Sequence, residues 1–532
     1  MNSSNPSLFN DILGPVMRGP SSSHTAASWR IAKVALQVLS DEVSSALVEF
    51  DENGAWASNY KPQGTVLGMS GGLLNLALDG EDILDYERIA GDRQVDIQYQ
   101  VGSFPTDHPN TVRLSLQGKN GSRMTLTAVS TGGGMMEIRQ VDDIPVKIAG
   151  DYYELLVRYP EVLTQDEKEG IEAVIPDPCV TRWIAGGAEE VLHVRSGVAF
   201  NPGTIDQIKE VHQIGHLSEV HPVLPIPSGR EREYPFGTIS GMLSYSMSHK
   251  LDLGQIGLVY EQARSGFNRE TLQQMMGKLM GTVEHSISDA LEGTHYPDRI
   301  LQQQSHLLYG EKAANSFFSP LINRIISYVT AIMEYKSAMG VIVAIPTAGS
   351  CGTVGGVLKA VSEELGSSRQ ALIDAYFAAG MVGVFIARGP GFSAEEHGCQ
   401  VETGAAGCMA AAGLVQLYGG TARMAVSAAS MALQNSMGLI CDPVADRVEV
   451  PCLGKNIAAA LNALSAATMA LSGYDPVIPL DESIQAVEEV GKHMHSDFCC
   501  TGRGGLAHTP TARNIYDRLA DTDEGQTAGG LG

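Results

Sequence analysis

The period of the apolar residues changes partway along this chain, and that change constrains the fold more than any other feature. Up to about residue 145, SSALVEFD (44–51), VDIQYQV (95–101), NTVRLSLQ (110–117) and MTLTAVS (124–130) alternate apolar and polar residues, the period of a half-buried strand. One helical stretch, AASWRIAKVALQVLS (26–40), follows the turn GPSSSHT. From about 236 to 520 the alternation disappears. Ala-rich runs and segments such as NRETLQQMMGKLMGTVEHSISDALEG, which opens on the N-cap residue Asn268, carry helical spacing instead. These patterns predict an α+β multidomain protein. Residues 1–145 form an N-terminal α/β domain, 146–220 a small β/α module, and 236–520 a large, mainly α-helical domain. The Pro-rich segment HPVLPIPSGREREYP (221–235) reads as a linker.

A net charge of −24 argues against nucleic acid or an anionic membrane surface as partner. The most apolar stretch, ALIDAYFAAGMVGVFIA (371–387), is interrupted by Asp374 and followed by Arg388. It reads as a buried helix, not a membrane span. MNSSNPSLFNDILG has neither a basic n-region nor an apolar h-region, so no signal peptide is expected and the cytoplasm is the expected compartment. There, eight cysteines are reduced, catalytic or metal-bound, not paired as disulfides.

No CxxC pair occurs, which argues against a structural zinc site. Cys399, Cys441 and Cys452 sit in Gly- or Pro-flanked breaks, HGCQ, LICDPV and VEVPCLGKN. Ligands on breaks between helices can converge. Three thiolates would leave one iron of a [4Fe–4S] cube without a protein ligand, free to act as a Lewis acid. Packing as buried free thiols is the competing reading, and spacing alone does not decide between them.

Other motifs offer binding groups. GPSSSHTAAS places Ser21, Ser22, Ser23, Thr25 and His24 at a helix start, where they can cap the helix or hold a carboxylate. DHPNTVRL puts His108 and Asn110 at a turn entering a strand. STGGG allows close backbone approach at Gly132 and Gly133. AIPTAGSCGTVGG, with Thr347, Gly349 and Ser350, can present N–H groups to an anion or simply pack a helix.

Taken together, DILGPVMRGPSSSHTAAS, DHPNTVRL, STGGG, AIPTAGSCGTVGGVL, HGCQVETGAAGCMAAAGLVQLYGG, MGLICDPVADRVEVPCLGKNIAAALNA and TGRGGLAHTPTA resemble, in family order, the iron–sulfur-dependent L-serine dehydratases (L-serine ammonia-lyases). The resemblance implies a carbon–oxygen lyase with the family's β and α portions fused in one chain. It implies a [4Fe–4S] cluster on Cys399, Cys441 and Cys452, and dehydration of L-serine to pyruvate and ammonia at the open iron. It also implies His24 or His108 as base, binding roles for Asn110 and the Ser/Thr/Gly residues above, a small-molecule substrate and a homodimer. The 146–220 module resembles ACT-type modules found in some relatives. One departure stands out. Where relatives carry a Gly-His-Gly/His-Thr-Asp segment, this chain has YKPQGTVLGMSGG, with Gln63 for the His and Val66 for the Asp. Glutamine is no general base, so another β-hydroxy amino acid or related acid is the alternative substrate. Some relatives place a C-terminal cysteine on the open iron. This chain has none there, and by sequence position Cys499 and Cys500 read as poor substitutes.

Overall fold

The structure is a computed structural model that describes residues 5–187, 189–228, 234–310 and 319–528. It has the α+β, multidomain character the sequence predicts. The N-terminal sheet has six strands in the order Asp96–Gly102, Val43–Asp51, Thr111–Gly118, Arg123–Gly132, Met135–Val141 and Ile144–Ile148. Only Val43–Asp51 and Asp96–Gly102 pair in parallel; the others run antiparallel. The alternating apolar residues Val48, Phe50, Leu114, Leu126 and Ile138 form one core with Ile31, Val34 and Val38 of helix Ala27–Leu39. Burial of that shared apolar surface holds the layer together.

The strands Tyr153–Tyr159, Val180–Gly186, Glu189–Ser196 and His216–Val220 alternate with helices Gln165–Glu172 and Pro202–Val211 in the order β-α-β-β-α-β. The antiparallel sheet runs fourth–first–third–second, the ferredoxin-like arrangement. Leu155, Val157, Leu192 and Val194 pack with the module's own Ile171 and Ile208. Leu156, Val191 and Val220 instead join the N-terminal core. The Ser218 hydroxyl donates to the Val38 carbonyl at 2.6 Å, so this sheet leans on the far end of the helix that begins at SSSHT.

The segment expected as a linker is pinned where it is described. Ile226 N donates to Asn10 Oδ1 at 3.0 Å and Ser228 N to Asp151 O. Its residues 229–233 lie outside the described residues.

In the helical region, Thr403–Leu417 is buried along nearly its whole length. Cys351–Leu365, Arg369–Arg388, Ala422–Gln434 and Cys452–Leu471 surround it. Such close packing needs small residues: a Cβ on Gly413 would lie 3.0 Å from the Ala375 carbonyl oxygen. Among the described residues, Arg369–Arg388 is the one helix long and apolar enough to cross a membrane, and 78% of its apolar window is buried inside the protein.

The apolar residues Leu8, Phe9, Ile12, Leu13 and Met17 join the core of the helical region, not that of the sheet that follows them. Leu8, Ile12 and Leu13 lie against Gly380 and Gly383 of helix Arg369–Arg388, and Val16–Met17 pairs with Ile342–Val343. Glu261 accepts from Ser7 Oγ and Leu8 N, each at 2.8 Å. This strap places the following loop, SSSHT, on the helical region.

Candidate active site

Three breaks in the helical region bring its cysteines together. Cys399 follows Gly398, whose φ of +71° turns the chain sharply. Cys441 lies in an extended stretch, and Cys452 opens helix Cys452–Leu471. All three are buried. The sulfurs of Cys399 and Cys441 and a carboxylate oxygen of Glu402 lie within 4.8 Å of one another. Cys452 interacts electrostatically with Cys399 and Glu402. Burial, with smaller contributions from these neighbours, pushes the Cys452 thiol well above its ordinary value. Contact with Cys399 and Cys500 does the same to Cys441.

Two lysines supply opposite charge. Lys336 is wholly buried and donates to Val448 O at 2.7 Å; its charge favours the ionised forms of Cys452 and Glu402. Lys455 donates to Ile440 O at 2.6 Å and Asp442 Oδ1 at 2.7 Å, and its interaction with Cys399 raises its own pKa against the desolvation that lowers it. Buried thiols beside the buried Lys336 and the partly buried Lys455 ammonium suit an anionic metal–thiolate group: a buried charge needs a partner, and thiolates are the metal-binding form. The donor set therefore fits a metal centre.

Cys500 lies nearer the cysteines than its sequence position suggests. Its thiol contacts Cys441, because Cys441 N donates to Phe498 O (2.8 Å) and Cys500 N to Cys441 O (3.0 Å). Gln63 Nε2 lies 3.8 Å from Cys500 Sγ. Distance along the chain hid this pairing of two remote segments. Cys499 points its sulfur to His495 O instead, at 3.7 Å.

Across the seam stands the SSSHT loop, a wide helical turn at Ser22–Ala26 leading into Ala27–Leu39. His24 is fully buried. Its Nε2 lies 2.8 Å from Asn59 Oδ1, and its Nδ1 lies 3.0 Å from Ser21 Oγ and 3.1 Å from Ser23 Oγ. Asn59 Nδ2 faces the Cys500 carbonyl at 3.5 Å, so Asn59 turns its oxygen to the imidazole. Nε2 then carries the hydrogen and Nδ1 accepts. Ser23 donates to Glu395 Oε1 at 2.7 Å, which leaves Ser21 as the donor to Nδ1. Burial lowers the His24 pKa below 6.5 despite nearby Glu395, and keeps the ring neutral.

Ser22 Oγ accepts from Ala348 N at 3.2 Å and ties this loop to Thr347–Ser350. Thr347 and Ser350 exchange a hydrogen bond at 3.1 Å. Thr347 also bonds the Glu402 carboxyl, which burial pushes up to about 7. Gly349 lies under that carboxyl: a Cβ there would be 3.2 Å from Oε2. Thr25 faces elsewhere and donates to Gln63 O at 3.2 Å.

Asn110 and Ser130 lie at the ends of neighbouring strands, and Ser130 N donates to Asn110 O at 3.1 Å. Both are wholly buried. Neither amide atom of Asn110 nor the Ser130 hydroxyl has a hydrogen-bond partner among the described residues, an arrangement that calls for a ligand or water. His108 Nδ1 accepts from Asn110 N at 3.1 Å, and burial lowers its pKa against the pull of Glu396 and Glu395. An open groove lined by Asp51, Asn53, Phe104 and Asp107 runs beside it. Gly132 and Gly133 have φ of +92° and +61°. A Cβ on Gly132 would lie 3.0 Å from Ser393 N, and one on Gly133 would lie 3.5 Å from Pro346 O. Arg30 donates to the Gly134 carbonyl at 2.6 Å.

Asn59, Glu395, Glu402 and Lys336 carry no assignment in the sequence, Ser130 opens the STGGG motif beside the glycines singled out there, and Cys500 reads by position only as a poor substitute. Glu402 and Lys455 stand inside segments that were singled out for their cysteines, HGCQVETGAAGC and VEVPCLGKN. Asn59, Glu395 and Lys336 carry no local signal.

Residues 205–507 match the family model described as serine dehydratase alpha chain. The chain is 35% identical over 285 residues to the probable L-serine dehydratase alpha chain of Bacillus subtilis, covering 53% of this chain and 95% of that one. It is 40% identical over 182 residues to the L-serine dehydratase alpha chain of Peptoniphilus asaccharolyticus, covering 34% of this chain and 62% of that one. It is 32% identical over 283 residues to L-serine dehydratase 1 of Escherichia coli, covering 52% of this chain and 62% of that one. All three cysteines at the buried site fall within the family match, and the chain belongs to the serine dehydratase alpha chain family.

Proposed function

We propose that this chain is an iron–sulfur-dependent L-serine ammonia-lyase that converts L-serine to pyruvate and ammonia. The observation that carries the reading is the convergence of buried cysteines, the buried Lys336 and the partly buried Lys455 across the seam from a neutral, hydrogen-bonded His24. Cys399, Cys441 and Cys452 would hold a [4Fe–4S] group, which when bound supplies a Lewis-acid iron that makes the substrate hydroxyl a better leaving group.

The protein's own groups do the rest. Asn110 and Ser130, whose buried side chains have no hydrogen-bond partner among the described residues, orient the amino-acid head, and the backbone around Gly132 and Gly133 allows close approach. His24 is the general base. Its Nδ1 takes the proton of Ser21 as the Ser21 oxygen takes the substrate α-proton; Asn59 fixes the tautomer and Glu395 holds Ser23 aside. The β-hydroxyl leaves as water with the proton passed through Ser21 and His24, and the 2-aminoacrylate tautomerises and hydrolyses in water to pyruvate and ammonium. Gln63, hydrogen-bonded to Cys500, has no basic lone pair and takes no proton. His108 sits among acidic groups at the groove and assists binding. The Thr347–Ser350 turn holds Glu402 at the metal side. A cytoplasmic homodimer with a regulatory ACT-like module goes with this reading on the strength of the family resemblance.

Because Gln63 stands where relatives carry a histidine and lies against Cys500, a different β-hydroxy amino acid or related acid is the second reading. A panel of L-serine, L-threonine and 3-substituted serines, assayed for 2-oxo acid release by anaerobically reconstituted protein, tests both. Fastest turnover of L-serine supports the first. Turnover of another member alone supports the second.

A further inference from the structure

Two of the three cysteines also belong to a tighter group that excludes the third. Cys399 Sγ, Cys441 Sγ and a Glu402 oxygen are mutually within 4.8 Å, and Cys399 Sγ lies 3.9 Å from Glu402 Oε2. Donors held at about 2.0–2.3 Å by one tetrahedral ion lie roughly 3.3–3.8 Å apart, so a small closing movement brings these three onto a single ion. Glu402 follows Cys399 by three residues across one tight helical turn, which fixes their spacing locally. Thr347 bonds the carboxyl, and Gly349 leaves room for it. Cys452 stands outside this group.

We propose that Cys399, Glu402 and Cys441 form a site for a single thiophilic divalent cation, zinc(II) or iron(II). The chain without its metal–sulfur group takes this ion. The two thiols, and the Glu402 carboxyl where it holds a proton, release their protons to solvent, two metal–sulfur bonds and one metal–oxygen bond form, and no electron is transferred. A fourth position is open to water, and Cys500, in contact with Cys441, is the neighbouring sulfur. Intrinsic affinity favours zinc(II) over iron(II). A bound zinc ion occupies two cysteines assigned to the larger group and so blocks its assembly, which makes the site a point of metal competition. The site goes beyond the lyase reading, because it uses Glu402 and dispenses with Cys452.

The test is an anaerobic titration of the full-length, reduced, metal-free chain with cobalt(II) as a visible probe. The expected result is one cobalt per chain, with thiolate charge-transfer absorption and intense tetrahedral d–d bands, all displaced by zinc(II). Cys452→Ser should bind cobalt like the wild type, although it loses the iron–sulfur group. Glu402→Gln should weaken cobalt binding at least ~10-fold, and Cys399→Ser should abolish the thiolate band. Circular dichroism checks that each variant is folded, and the isosteric Glu402→Gln carries the test if Cys399→Ser is not. Zinc-loaded chain should take up no iron and sulfide until a chelator removes the zinc. Loss of cobalt in Cys452→Ser as complete as in Cys399→Ser, or unchanged affinity in Glu402→Gln, overturns the proposal. Failure of the lyase reading would show instead as cluster-loaded protein that releases no 2-oxo acid, with the cobalt titration unaffected.

Discussion

His24 Nε2 lies 2.8 Å from Asn59 Oδ1, and this contact settles which imidazole nitrogen is basic. With the hydrogen on Nε2, the lone pair of Nδ1 faces Ser21 and Ser23. Asn59→Leu removes that constraint and Asn59→Asp changes its charge. Both should lower kcat, and His24→Gln should lower it by about 10²–10⁴-fold, the usual contribution of a general base. Iron content should stay at the wild-type level in all three. Steady-state kinetics paired with iron analysis checks this; loss of iron in step with activity would assign His24 a structural role instead.

Lys336 is a buried ammonium whose charge reaches Cys452 and Glu402. In Lys336→Met the metal-free protein loses an ion that is costly to bury, so its melting temperature should hold or rise. The metal-loaded protein loses a compensating charge, so it should release iron to a chelator several-fold faster. Thermal melts of both forms and the anaerobic release rate decide it. Equal release rates would mean that Lys336 serves only packing.

Glu402 has a carboxyl pushed up from 4.5 to about 7 by burial. Between those values the folded, metal-free protein holds a proton that the unfolded chain has released. Stability therefore falls as pH rises through this window. Glu402→Gln removes the dependence, so urea midpoints measured at pH 5 and pH 8 should differ less in the variant than in the wild type. A wild-type difference equal to the variant's would contradict the burial of this carboxyl.

Gly132 combines a φ of +92° with a Cβ position only 3.0 Å from Ser393 N. Gly132→Ala should cost about 1–3 kcal/mol of stability and, on the proposed reading, raise KM more than it lowers kcat. An unchanged KM would remove this turn from the substrate site.

Much of this was legible in the sequence. The strand alternation placed the N-terminal sheet, helical spacing placed the helices, and Asn268 caps its helix through Thr271 N at 2.8 Å. The three cysteines and the SSSHT loop were visible as motifs. What stayed hidden depends on tertiary pairing. Cys500 reaches Cys441 only because two remote extended segments exchange backbone hydrogen bonds. Leu8 and Ile12 have an ordinary apolar spacing that does not say which region they join. Asn110 announced itself by motif, whereas Ser130 stands out only once its hydroxyl is seen buried without a partner.

The central claim is that the cysteines at this seam hold an iron–sulfur group on which serine is dehydrated. The most direct measurement is anaerobic reconstitution with iron and sulfide, with metal content and pyruvate release from L-serine followed on the same sample. The account predicts about four iron and four sulfide per chain, and pyruvate release that rises in proportion and vanishes in Cys399→Ala. Protein that binds no iron or sulfide, or Cys399→Ala that keeps full activity, would contradict it.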